Sequence, residues 1–152
     1  PAATDVTIGD ARVSLNHAPD HYYGMFVLDA FSSDAIPIHL LTQEALRLYV
    51  AKLSPDGVLL FHISNRYFDL APVLARLAAT MNLSALLRED LQLNEAEALA
   101  GKQPSRWVVM APRSDVLAPL RGEPKWQRLN GNSGVDLWTD DHSNLLQALR
   151  WP

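Results

Sequence analysis

Two carboxylates, Asp29 and Asp34, follow the apolar run Met25-Phe26-Val27-Leu28. An apolar run without alternation predicts a strand covered on both faces, as in a parallel sheet flanked by helices. Ligands of such sheets gather just beyond the carboxyl ends of the strands. An acid at that point can accept a proton or hold a cation. The same acids could instead cap a helix or pin a turn, and position alone does not separate the two uses. A second group, His62, Asn65 and Arg66, follows another apolar run, Val58-Leu59-Leu60-Phe61, and falls on the same sheet edge. There Arg66 could clamp a carboxylate or phosphate, or simply form a surface ion pair. A third group is Thr139-Asp140-Asp141-His142. Its paired acids could hold a polycation, but the favoured reading is an N-cap, by Asp141 or Ser143, for a helix over 144–151. His17, His21 and His39 are scattered without ligand spacing, so no metal site is expected.

The elements that must carry these groups follow from local pattern. Residues 6–8 read as a strand and 11–16 as a short helix. Thr42 is placed to cap a helix in which Ala45, Leu46, Leu48, Tyr49 and Leu53 share a face, with Glu44 near its start and Lys52 near its end. Ser54-Pro55-Asp56-Gly57 reads as a turn with Gly57 at a positive φ, leading into a strand over 58–61. A helix is expected over 70–81 with Pro72 in its first turn, then strands over 84–87 and 107–110. Residues 88–104 read as a loop or lid with a loose helix at 95–100. A short helix near 114–120, a glycine-rich turn around 130–134 and the terminal helix complete the chain. Strands alternating with helices imply βαβ crossovers and a parallel sheet, an α/β fold.

Composition narrows the partners. The 152 residues, 48% of them hydrophobic, suffice for one domain with a real core. A net charge of −4 excludes a basic nucleic-acid footprint. The absence of cysteine excludes disulfides and thiolate metal sites. No apolar run reaches the ~18–20 residues of a membrane span, so no membrane contact is expected of this segment. The four tryptophans lack basic interleaving and read as packing residues. The opening Pro1-Ala2-Ala3-Thr4, without Met and close to a strand-like stretch, reads as a chain cut within a domain.

Several phrases carry a resemblance. Gly9-Asp10-Ala11, then D-A-F-S-S-D from Asp29 to Asp34, then S-P-D-G-V-L from Ser54, resemble the later part of the spermidine synthase (polyamine aminopropyltransferase) family. LDAFSSDAIP, HISNRY and WTDDHSNLL resemble more closely the spermidine-synthase-like domains fused behind a multi-pass membrane region in many bacterial proteins. The likeness covers most of residues 5–151. It implies the carboxyl-terminal part of a Rossmann-like, class I methyltransferase-type domain, with a mostly parallel sheet flanked by helices. It implies decarboxylated S-adenosylmethionine, or S-adenosylmethionine, as the donor substrate, no metal, and a polyamine or other small cation as acceptor. Asp10 would bind the adenine and Ala11 would let the ring approach. Asp29 would be the general base, and Asp34 would join it in holding the amine.

The chain departs from the family at three points. Asp34 stands two residues later than the second acid of the D-S-S-D motif, Gln103 replaces a tyrosine before Pro104-Ser105, and no G-x-G-x-x-G loop is present. The chain alone is therefore expected to be inactive. Two other functions remain open: an AdoMet-dependent methyltransferase, and a non-catalytic nucleoside- or polyamine-binding regulatory domain of a membrane protein. The expected setting is cytoplasmic, including the cytoplasmic part of a membrane protein. A strand over 25–28 without a neighbour on one edge would recruit a second copy, so a homo-oligomer is expected.

Overall fold

The computed structural model describes residues 4–31, 36–129 and 134–150. Five strands, β1 (Tyr23–Leu28), β2 (Leu53–His62), β3 (Ser84–Asp90), β4 (Ser105–Ala111) and β5 (Trp126–Arg128), form one sheet in the order β1-β2-β4-β3-β5. The helices are α1 (Ala11–Asn16), α2 (Gln43–Lys52), α3 (Ala71–Thr80), α4 (Glu95–Leu99) and α5 (Ala118–Arg121), with 3₁₀ turns at Ile38–Leu40 and Leu145–Ala148. The α/β class is as read from the sequence.

The apolar run in β2 alternates between two cores. Leu59 and Phe61 face the main core, which α2 fills with Ala45, Leu46 and Tyr49 and α3 with Val73, Leu74 and Leu77. Val58 and Leu60 face a smaller cluster of Leu86, Val109, Ala111 and Leu117. Adjacent residues of a strand point to opposite faces, so a continuous apolar run requires both faces to be covered. That requirement is met at β2 and fails at β1, which is an edge strand. Phe26 and Leu28 pack on the main core, whereas Met25 and Val27 are 60% and 53% exposed. Residues 6–8 form no strand, and Val6 and Ile8 are exposed.

Among the described residues only β1 and β2 pair in parallel, with Leu28 opposite Phe61. β4 runs antiparallel to both β2 and β3, and β5 antiparallel to β3. Three strands, β1, β2 and β3, thus share one direction, and the expected parallel ladder is interrupted by β4. The cause lies in the 91–104 connection. A parallel crossover needs a helix packed on the sheet, and α4 buries no residue. The chain turns back instead, and β4 inserts between β2 and β3.

Residues 54–57 fall within the bounds of β2 rather than forming a separate turn. From Tyr23 to Met25 β1 advances two residues while its partner advances from Leu53 to Val58, so the segment bulges out of the ladder. Gly57 does not take a positive φ. It is required by space: a Cβ there would lie 2.8 Å from the Tyr23 carbonyl oxygen and 3.0 Å from that of Ser54. Both obstacles are backbone. Gly57→Ala is expected to cost about 1–3 kcal/mol through forced backbone shifts, visible as a lower Tm.

Several other elements differ in extent. β3 continues to Asp90, α4 is closed by a capping box between Asn94 and Glu97, and the short helix contracts to α5. β5 was not evident, because three residues give too little alternation to read. The expected terminal helix is only the 3₁₀ turn Leu145–Ala148, and its N-cap residue Asn144 makes no side-chain cap bond, so neither Asp141 nor Ser143 serves as one. The glycine-rich turn lies largely outside the described residues.

The charged 88–104 stretch is pinned rather than lid-like in its ionic contacts. Buried Asp90 receives Arg88 Nε at 2.8 Å, Lys125 Nζ at 3.1 Å and Lys102 Nζ at 3.4 Å. Hydrogen bonding from Arg88, joined by Lys125 and opposed by desolvation, holds its carboxyl down at about 2. A carboxyl lowered in the folded state stabilises the fold above its unfolded pKa of roughly 4, and that contribution is lost as pH falls through about 2. Asp90→Asn is therefore expected to cost about 1–2 kcal/mol at neutral pH and to flatten the stability profile between about pH 4 and 2. Urea unfolding across that range would check it.

Candidate functional site

Asp29 follows immediately on β1, and the parallel register sets it level with the last residue of β2, His62. His62 lies opposite Trp107 of β4. Three neighbouring strands thus present Asp29, His62 and Trp107 as one row. The Asp29 carboxylate Oδ1 lies 2.7 Å from His62 Nδ1. An ionised carboxylate can only accept, so His62 carries its hydrogen on Nδ1 in this contact. The imidazole stacks on the Trp107 ring at 4.5 Å between centroids and 19° between planes. Asp29 itself is 57% exposed and His62 only 19%. The histidine is held from both sides while the carboxylate remains open to a ligand.

The segment that carries Asp29 is anchored from β2 as well. Phe31 is fully buried, and its carbonyl accepts from Asn65 Nδ2 at 2.8 Å. Asn65 Oδ1 in turn accepts from the backbone N–H groups of Tyr67 and Phe68. Asn65 is thus a structural link between the two strand ends. Asp34, the expected second acid, lies outside the described residues.

Asp10 is the N-cap of α1. Its Oδ1 accepts from Val13 N at 3.0 Å, and Oδ2 lies 3.1 Å from His39 Nε2. The Val13 hydrogen bond, with help from His39, keeps its carboxyl below the usual range. Ala11 lines an open cavity of about 620 Å³ between α1 and β1, which Gly9, Leu15, Tyr23, Met25 and Val27 also border. That volume falls in the range of small-molecule sites.

The acidic group near the carboxyl end performs a structural task that sequence reading missed. Asp140 receives a bidentate pair of 2.8 Å hydrogen bonds from Arg12 and a third at 2.7 Å from Thr42 Oγ1. Its backbone N–H donates to Glu44 Oε2. Arg12 first, then Thr42, lowers its carboxyl to about 2. Asp140 therefore ties α1 to the start of α2 and is not free to hold a polycation. Nothing in the spacing of Arg12 and Asp140, 128 residues apart, signals that pairing.

The sheet places the chain among solved structures. It is similar to a probable spermidine synthase from Corynebacterium glutamicum ATCC 13032, with a TM-score of 0.53 and 17% identity. The match covers 96% of this chain and 56% of that one, so the chain spans little more than half of that protein's length. The likeness is one of fold, a methyltransferase-like sheet with flanking helices. No family model and no curated protein matches the chain. Among the described residues no group of three or more acids and histidines is arranged to hold a metal ion. No described helix is long and apolar enough to cross a membrane.

Proposed function

We propose that the chain is a spermidine-synthase-like domain whose native protein transfers an aminopropyl group from decarboxylated S-adenosylmethionine to a polyamine. The observation that carries this reading is the Asp29 carboxylate, set at the carboxyl end of a parallel strand pair and oriented by His62. In the proposed step the acceptor nitrogen attacks the aminopropyl carbon attached to sulfur. The new C–N bond forms as the C–S bond breaks, the electron pair returns to the sulfonium sulfur, and methylthioadenosine leaves. The nitrogen's proton passes to Asp29. A protonated amine cannot attack, so an acceptor within hydrogen-bond reach is required. The negative carboxylate also favours the cationic acceptor and donor.

The nucleoside would lie in the cavity beside Ala11, where a small side chain leaves room for a flat ring. Neither Asp10 nor Asp29 lines that cavity, so to reach the adenine Asp10 would have to turn from its contacts with Val13 and His39. That prior engagement weighs against a nucleoside at Asp10 and favours, as a second reading, a domain that binds a polyamine at the exposed Asp29 without catalysis. Self-association through the exposed Met25 and Val27 of the edge strand is the competing use of this face, because both residues border the same cavity.

Calorimetric titration of the native protein with decarboxylated S-adenosylmethionine and with S-adenosylmethionine tests the donor assignment. Tighter binding of the decarboxylated donor is expected. A preference for S-adenosylmethionine would transfer the reading to a methyltransferase.

A further inference from the structure

We propose that a cleft beside the amino end of β4 is an anion site that holds the carboxylate or phosphate group of a small ligand. The cleft, of about 270 Å³, is lined by Ser64, Arg66, Pro104, Arg106 and Arg150, with Asn65 and Leu91 at its wall. Three arginines from three separate segments line it, and no acidic residue does. This occurs in a chain whose net charge is −4.

The three arginines are not equivalent. Arg106 is buried, its Nε donating to Glu89 at 2.7 Å and its Nη1 to Asp69 at 2.9 Å. Those two carboxylates are thereby engaged, and Nη2 has no protein partner among the described residues. Arg66 and Arg150 form no ion pair among the described residues; Arg66 lies over the Tyr67 ring at 5.6 Å. Arg66 and Arg150 are therefore the two guanidiniums left to an anion in the cleft, with the open Nη2 of Arg106 as a further donor. Guanidinium groups match carboxylate and phosphate in planar, two-point geometry.

The backbone around the cleft is also built. Arg150 N donates to the Tyr67 carbonyl at 2.8 Å, Asp69 N to that of Ala148 at 2.7 Å, and Phe68 bridges Leu149. The terminal stretch is thus laced to the 65–69 loop, which fixes where Arg66 and Arg150 emerge. Ser64 Oγ accepts from Arg106 N at 2.9 Å and retains its own hydrogen to donate. The ligand proposed here is an anion, opposite in charge to the acceptor proposed for Asp29. The two proposals stand independently.

The test is calorimetric titration of the native protein with inorganic phosphate and, separately, with succinate, at constant ionic strength so that screening is matched. Saturable binding of at least one anion is expected, phosphate alone assigning a phosphate ligand and succinate alone a carboxylate. The double variant Arg66→Gln/Arg150→Gln should weaken it by about tenfold or more. The control pair Arg76→Gln/Arg121→Gln, exposed elsewhere on the surface, should bind as the wild type does. Absence of saturation with both anions would overturn the proposal. So would equal affinity in the Arg66/Arg150 variant, or an equal loss in the control pair.

Discussion

Asp29→Asn is expected to lower the turnover of aminopropyl transfer about 10²–10⁴-fold, the range over which a positioned general base contributes. The substitution keeps size and shape but removes the ability to take a proton at neutral pH. Because Asp29 is more than half exposed and sits after the strand rather than within it, folding should be unaffected. The effect should therefore fall on kcat rather than on donor affinity. His62 acts through Asp29 by donating from Nδ1, so it is a positioning residue. His62→Gln retains a hydrogen-bond donor and should lose only about tenfold. Steady-state kcat and KM for both variants check this pair, and an unchanged kcat in Asp29→Asn would remove Asp29 from the chemistry.

Trp138→Ala is expected to have the largest effect on stability, about 3–5 kcal/mol. Trp138 is fully buried in the main core, and its carbonyl accepts from Gln43 N at the start of α2. Removing the ring leaves a cavity beneath the Asp140 tie, in a domain whose total stability is on the order of 5–15 kcal/mol. The indole Nε1 is buried without a partner among the described residues, which costs roughly 1–3 kcal/mol in the wild type. Trp138→Phe should consequently lose much less than Trp138→Ala, since it fills most of the volume and removes the unpaired donor. The expected signature is a lower urea midpoint with an unchanged m value. Equal losses in the two variants would contradict it.

Local signals were legible where they depend on neighbours in sequence. Thr42 caps α2 as its spacing implied, Pro72 sits in the first turn of α3, and α1 spans 11–16. Features that depend on distant partners were not. The exception is β1: Met25 to Leu28 has the composition of a covered strand, yet a missing neighbour on one edge is expected, and β1 does lie at an edge of the sheet. The direction of β4 is not set by the alternation of strands and helices, since the loose helix between β3 and β4 buries no residue and makes no packed crossover. At the candidate site, Asp29 and His62 were each visible as residues after apolar runs. Their contact required the register that sets Leu28 opposite Phe61, and Trp107 carried no polar signal at all. Gly57 was recognised as necessary for the wrong reason, since its constraint is a neighbouring carbonyl rather than its own φ.

The most direct test of the central claim is to supply the native protein with putrescine and either decarboxylated S-adenosylmethionine or S-adenosylmethionine, and to identify the products by mass spectrometry. The account predicts an aminopropylated amine and methylthioadenosine with the first donor, and no transfer with the second. A methylated product from S-adenosylmethionine, or no product from either donor, would contradict it.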